Sequence, residues 1–205
     1  MIRTVSFDQS EIIKNIMHLH ANGVIECDVT YGNGSFYADI ERPKFKFDLD
    51  PQTTDTERSC STELPVNNET FNSLMFDPPF LTYIKDKREH NSIMAKRFGG
   101  YWAYHELEDH YKKTAKEAYR VLKKDGVFIV KCQDIIHNHK MHCTHANMIN
   151  WCSDSGFRLL DLFVLVAKHR MSVTGKNRKQ QHARIYHSFF LVFKKLNRKP
   201  LCEDK

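Results

Sequence analysis

The stretch Ser73-Leu74-Met75-Phe76-Asp77-Pro78-Pro79-Phe80 decides how the rest of the chain reads. Ser73–Phe76 is a short apolar run, and two consecutive prolines stop it. Neither proline can continue a β-ladder or sit inside a helix, so together they fix a stiff turn at the strand's C-terminal end. In an open α/β sheet that edge is where ligands bind. The turn presents the Asp77 carboxylate, the Pro78 carbonyl and the Phe80 ring. Two acceptors beside a flat apolar face suit a planar amine. The amino nitrogen of adenine, for instance, delocalises its lone pair into the ring and is a poor nucleophile. Acceptors on its hydrogens favour the pyramidal geometry that attacks a methyl sulfonium, and Phe80 would stack on an extruded base. The bland alternative is an Asp-Pro-Pro turn that merely buries an aromatic side chain.

Working toward the N-terminus, the polar segment Thr53–Glu69 predicts no regular structure, and Phe45–Leu49 alternates as a strand that stops at Asp50-Pro51. Before it, the apolar run Val24–Cys27 predicts a buried strand that runs into Asp28-Val29-Thr30-Tyr31-Gly32-Asn33-Gly34. A glycine loop directly after a buried strand is where a nucleotide-like ligand is approached closely by backbone. Gly32 and Gly34 alone would be weak evidence, since many tight turns contain such a pair. An acid stands one strand later, however. Asp48 lies about twenty residues beyond Asp28, the separation expected of a carboxylate that accepts from ribose hydroxyls, with Asp50 as the competing candidate. The first element is a helix over Ser10–His20, with Ser10 as N-cap and Ile12, Ile13, Ile16 and Leu19 on one face.

Working toward the C-terminus, Leu81–Gly100 is a long polar and basic loop, expected to be mobile and to meet the substrate. Trp102 and Tyr104 follow it and could stack on a base or anchor the loop on the core. Glu106–Leu122 predicts a helix, closed by Lys124-Asp125-Gly126, and Val127–Cys132 a strongly apolar strand. In the segment Lys131-Cys132-Gln133-Asp134, Cys132 reads as core packing, with Gln133 and Asp134 as possible site-lining residues. Ala146–Ser153 predicts a further helix, and Leu159–Ala167 and Phe189–Phe193 two last strands. Strands separated by helices argue for a mostly parallel sheet covered on both faces. His137, His139, His142, Cys143 and His145 match no standard zinc spacing and read as a polar loop, so no metal is expected.

The 205 residues suffice for one sizeable α/β domain, and no apolar run reaches the length of a membrane span. The N-terminus lacks a signal-peptide pattern, and the six cysteines form no CxxC pair. Reduced thiols in a cytoplasmic protein are the expectation. The net charge is +6, yet Leu162–Cys202 holds ten Lys or Arg and no acid, leaving the remainder of the chain net negative. Within that segment the arm of residues 168–184 carries Lys168, Arg170, Lys176, Arg178, Lys179 and Arg184, interleaved with histidines. Such one-sided charge points to a polyanion partner, with phosphate contacts from these six side chains, rather than to a solvated tail.

Helix, glycine loop, acidic second strand, Asp77-Pro78-Pro79-Phe80, and then Val121-Leu122-Lys123-Lys124-Asp125-Gly126-Val127 together resemble the class I S-adenosylmethionine-dependent methyltransferases that act on amino groups of DNA bases. The resemblance runs from about Ser10 to Lys195. It implies a Rossmann-like α/β fold, with a mostly parallel seven-stranded sheet, its last strand antiparallel, and helices on both faces. It implies that Asp28, Thr30, Gly32, Gly34 and Asp48 or Asp50 hold S-adenosylmethionine, and that Asp77, Pro78, Pro79 and Phe80 form the catalytic tetrapeptide. Asp as its first residue leans toward adenine, so DNA adenine is the leading substrate. An RNA amino-methyltransferase is the nearest alternative. A protein-glutamine methyltransferase would leave the basic segment unexplained. A non-catalytic nucleic-acid-binding subunit would not require both motifs intact. The sequence departs from the family in Val29-Thr30, where Pro-Phe is usual after the acid. No separate target-recognition domain is legible, so the single domain would rely on the loop 81–100, the arm 168–184 or a partner.

Overall fold

The computed structural model describes residues 1–82, 101–168 and 180–197. The order of elements is β1 (Val5–Ser6), α1 (Gln9–His20), β2 (Cys27–Asp28), a single 3₁₀ turn (Ser35–Tyr37), β3 (Phe45–Asp48), β4 (Glu57–Arg58), β5 (Phe71–Phe76), α2 (Tyr104–Val121), β6 (Leu122–Cys132), β7 (Ile135–His137), β8 (Lys140–His142), α3 (Thr144–Asp154), β9 (Phe157–Val166) and β10 (His187–Lys195). Eight strands form one sheet in the order β1-β9-β10-β6-β5-β2-β3-β4. Every pairing is parallel except those of β10, which runs antiparallel to both β6 and β9. This is the Rossmann-like methyltransferase fold expected from the sequence, with its reversed last strand. Beside the expected seven strands, a two-residue edge strand, β1, pairs with β9.

The period of two along the central strands sorts the core into two layers. Leu74 and Phe76 of β5 and Phe128 and Val130 of β6 pack beneath α2 and α3, against Leu107, Tyr111, Ala115, Ala118, Met148 and Cys152. Met75 and Ile129, one residue out of phase, face Ile12, Ile13, Ile16 and Met17 of α1 on the other side. Burying such side chains from water contributes about 1.5–3 kcal/mol each, which is why the sheet forms between the helices.

Several local expectations are corrected. Asp8, not Ser10, caps α1: its carboxylate accepts from the Ser10 N–H at 2.8 Å, satisfying one of the orphan donors of the first turn. Leu19 is exposed instead of joining the apolar face. The segment 53–69 contains β4, and Arg58 there aligns with Asp48. Lys124-Asp125-Gly126 does not close a helix. The helix ends at Val121, and Asp125 takes a left-handed turn (φ 61°) inside the entry to β6. The histidine-rich segment is a β7–β8 hairpin whose tip, Asn138 and His139, has positive φ at both residues, followed by α3. Among the described residues no cluster could hold a metal ion, the five cysteines are unpaired, and no helix is long and apolar enough to cross a membrane.

Candidate active site

The C-terminal ends of β2, β3, β5 and β6 all reach one sheet edge, because these strands are parallel. A cleft of about 800 Å³ opens there. Its walls bring together Thr30, Gly32, Asp48, Asp77, Pro78, Pro79 and Phe80, which the sequence had singled out from segments up to 50 residues apart. Asp28, Gly34 and Asp50 do not line it.

Asp28 lies underneath the glycine loop, 1% exposed, and its carboxylate is spent inside the protein. One oxygen accepts from the Thr30 N–H (2.7 Å) and hydroxyl (3.2 Å), and the other from the Tyr37 hydroxyl (2.6 Å). Burial pushes its pKa up to about 7 against the pull of the Tyr37 and Thr30 hydrogen bonds. Gly34 sits at φ 73° with the Tyr31 hydroxyl 2.6 Å from where a Cβ would stand, so a side chain there would strain the backbone and force Tyr31 to shift. Asp48 holds the loop from the neighbouring strand. Its carboxylate takes the Gly32 N–H at 2.7 Å and the Asp50 N–H at 2.8 Å. That leaves each oxygen a lone-pair direction free in the cleft, while Asp50 itself is exposed outside it.

Thr30 occupies the place where the resemblance leads one to expect a phenylalanine, and its hydroxyl has a definite task. It accepts the Asp77 N–H at 2.7 Å while donating to Asp28, so the glycine loop and the double-proline turn are joined by one hydrogen-bond chain. Tyr111 of α2 braces the same turn by donating to the Pro79 carbonyl at 3.3 Å. The Asp77 side chain, 21% exposed, meets one cation among the described residues: Lys131 Nζ lies 3.2 Å from its Oδ2. Burial raises the Asp77 pKa, and the charge and hydrogen bond of Lys131 oppose that rise.

The far end of the cleft is polar and neutral. Ser61 and Cys60 stand beside His110, whose Nε2 is 2.8 Å from the Ser61 hydroxyl and whose Nδ1 meets the Tyr101 hydroxyl. Burial lowers the His110 pKa to about 4, so the ring is uncharged at neutral pH. The residues present fit S-adenosylmethionine. Gly32 offers bare backbone with open space beside it, Asp48 offers acceptors suited to a diol, and Leu49 adds apolar surface. Among the described residues the Tyr31 hydroxyl, buried at the cleft wall, has no hydrogen-bond partner, which is the signature of a polar atom that awaits a ligand or water.

Other sequence expectations resolve differently. Tyr104 is buried, stacked on His142 at 3.8 Å and hydrogen-bonded to Asn147, so it anchors the core, whereas Trp102 is 49% exposed. Gln133 donates to the His187 carbonyl, and Asp134 caps α3 and grips His145 at 2.7 Å, so neither lines the cleft. Lys131, Gln9, Ser61 and His110 do line it and were not among the predicted site residues. The connection between β9 and β10, which carries the basic arm, leaves from the same sheet edge as Asp77, because β9 runs parallel to β5 and β6. Lys168 and Arg184 are exposed there, whereas Arg170, Lys176, Arg178 and Lys179, like most of the loop 81–100, lie outside the described residues. Two other basic residues of the segment serve the fold. Lys195 is buried on the Leu122 carbonyl, and Lys194 pairs with Asp125.

Comparison with known proteins finds the same fold. A methyltransferase described as S-adenosylmethionine-dependent from Methanosarcina mazei is 14% identical and superposes with a TM-score of 0.51 over 88% of this chain and 97% of its own. A protein described as a methyltransferase from Bacillus halodurans gives 14% and 0.50 over 94% and 100%. A protein described as a DNA modification methylase from Thermus thermophilus, in complex with S-adenosyl-L-methionine, gives 18% and 0.47 over 70% and 57%. The chain spans about half the length of the Thermus thermophilus chains, 49–57% of them. No curated protein matches the sequence. The profile of the DNA methylase family for N6 and N4 amino groups matches residues 71–204, from the strand that bears Asp77 through the basic segment. That match covers well over half of the sequence, and the chain belongs to the N6/N4 DNA methylase family.

Proposed function

We propose that the protein is an S-adenosylmethionine-dependent methyltransferase acting on the exocyclic amino group of a nucleic-acid base, with adenine in DNA as the preferred target. The observation that carries this reading is that the glycine loop and the double-proline turn border one cleft and are joined through Thr30. Asp48 and the Gly32 backbone would hold the cofactor, and Tyr31 would add a polar contact. When bound, the cofactor would supply a methyl group activated by a sulfonium, with a neutral thioether as the leaving group for an attacking amine.

The remaining work belongs to the chain. Asp77 and the Pro78 carbonyl accept from the amine hydrogens and orient its lone pair, and Phe80 offers a face to the base. Asp77 also stabilises the positive charge that builds on nitrogen as the N–C bond forms, the S–C pair returns to sulfur and one amine proton leaves to water. Positioning and a pre-arranged electrostatic environment carry most of the acceleration. Lys168 and Arg184 favour a polyanionic substrate, since they project from the edge that bears the cleft. Neutralising both should flatten the dependence of log affinity on log salt by about two units.

The test is transfer of labelled methyl from S-adenosylmethionine to duplex DNA, single-stranded DNA and RNA in parallel, with nucleoside analysis of the products. Label in N6-methyladenine of DNA is the expected result. Label confined to RNA would move the substrate to the nearest alternative, and absence of label from all three would point to a non-catalytic subunit.

A further inference from the structure

The chemistry above uses Asp77 and leaves Lys131 without a role. The register of β5 on β6 aligns Phe76 with Val130, so Asp77 and Lys131 follow at matched positions on neighbouring parallel strands. The Lys131 side chain is 13% exposed, and its ammonium lies 2.8 Å from Gln9 Oε1 and 3.2 Å from Asp77 Oδ2. The rings of Phe36 and Phe190 flank it, with centroids 5.2 and 5.7 Å away. An ammonium so stripped of water is tolerated only with partners, and among the described residues its anionic partner is Asp77. A lysine kept for solubility would not sit at the wall of the cleft.

We propose that Lys131 is a positioning residue for methyl transfer: it grips Asp77 by one carboxylate oxygen and leaves the other for the target amine. The inference rests on the amino-methyltransferase reading and names a further member of that site. Among the described residues the titratable groups facing Asp77 are Lys131 and Cys132 of β6, Asp28 of β2, Tyr37 of the 3₁₀ turn and Tyr111 of α2. Lys131 is the cation of this set, so it alone opposes the upward push of burial. Without it Asp77 would take up a proton at higher pH and lose an acceptor where the amine needs one.

The experiment compares Lys131→Met, whose side chain has similar length and fits between two rings, with Lys131→Arg, which keeps the charge. Cofactor affinity by calorimetry, melting temperature and kcat against pH are measured on each folded sample. Lys131→Met is expected to keep cofactor affinity within about threefold and to lose about tenfold or more in kcat at neutral pH. The acid limb of its kcat profile should move to higher pH, and Lys131→Arg should restore the limb and much of the rate. Unchanged kcat and limb in Lys131→Met would overturn the inference. So would a cofactor affinity lowered by about tenfold with kcat retained, which would make Lys131 a cofactor contact. If Lys131→Met does not fold, Lys131→Arg decides: an acid limb in place supports the inference and a displaced one overturns it. Absence of transfer by the unmodified protein would remove the amine reading together with this inference. A fully active Lys131→Met protein would remove this inference alone.

Discussion

Two aspartates end two neighbouring strands of the same sheet, and they have opposite fates. Asp28 closes β2 with 1% of its surface exposed and every oxygen engaged by Thr30 or Tyr37. Asp77 follows β5 with 21% of its side chain exposed and, among the described residues, one side-chain partner, Lys131. Thr30 joins them, accepting from one and donating to the other. A carboxylate buried beneath the cleft floor, with both oxygens engaged by its own chain, builds a loop. One with an oxygen to spare, turned toward a cleft, can serve a substrate. Position at the ligand edge is shared, so accessibility and unspent hydrogen-bonding capacity separate scaffold from chemistry.

The contrast can be broken most strongly at Asp28. Asp28→Ala strands the Tyr37 hydroxyl and the Thr30 N–H in a buried site and should cost about 2–4 kcal/mol in urea unfolding. A cost below about 0.5 kcal/mol would show that the loop does not depend on that carboxylate. The pH dependence has a definite sign. The folded pKa of Asp28 is raised from 3.8 to about 7, so its contribution to stability is fully present below the lower value and is lost as pH rises through about 7. Asp28→Asn should flatten the stability profile across that window.

The two glycines sharpen the same comparison at a smaller scale. Gly34→Ala meets the Tyr31 hydroxyl at 2.6 Å and a left-handed backbone, whereas Gly32→Ala meets open space at φ 59°. Both carry a backbone penalty of about 1–2 kcal/mol, and Gly34→Ala should exceed Gly32→Ala in loss of melting temperature. Equal losses would mean that Tyr31 moves aside freely. The smallest effect is expected at the link itself. Thr30→Val leaves the Asp77 N–H without its acceptor and should cost about 1 kcal/mol in stability, with a loss of kcat larger than any loss of cofactor affinity.

Much of this was legible in the sequence, and the particular elements show why. The strand that ends at Asp77 announces itself because an apolar run and two prolines impose their geometry locally. The glycine loop and Asp48 were legible through their spacing after a buried strand. Strands β1 and β4 were not, since two residues display no period. The β7–β8 hairpin was hidden because its strands are only three residues long, β8 consists of Lys, Met and His, and the tip uses Asn138-His139 instead of an Asn-Gly pair. Asn138 and the β-branched pair Ile135-Ile136 were the local hints. Lys131 stood in the sequence at the end of an apolar strand, but its meaning depends on β6 lying beside β5, a pairing that the chain order does not reveal. Asp28 was read as a cofactor contact from its place in the motif. Its burial beneath Thr30 and Tyr37 is a tertiary fact.

The central claim, that Asp77 performs chemistry while Asp28 supports the fold, is tested most directly by Asp77→Ala. Melting temperature, cofactor affinity and turnover should be measured on one sample. The melting temperature should stay near that of the unmodified protein and cofactor affinity within a few fold, while turnover falls by about a hundredfold or more. A stable, cofactor-competent Asp77→Ala protein that methylates at close to the original rate would contradict that claim.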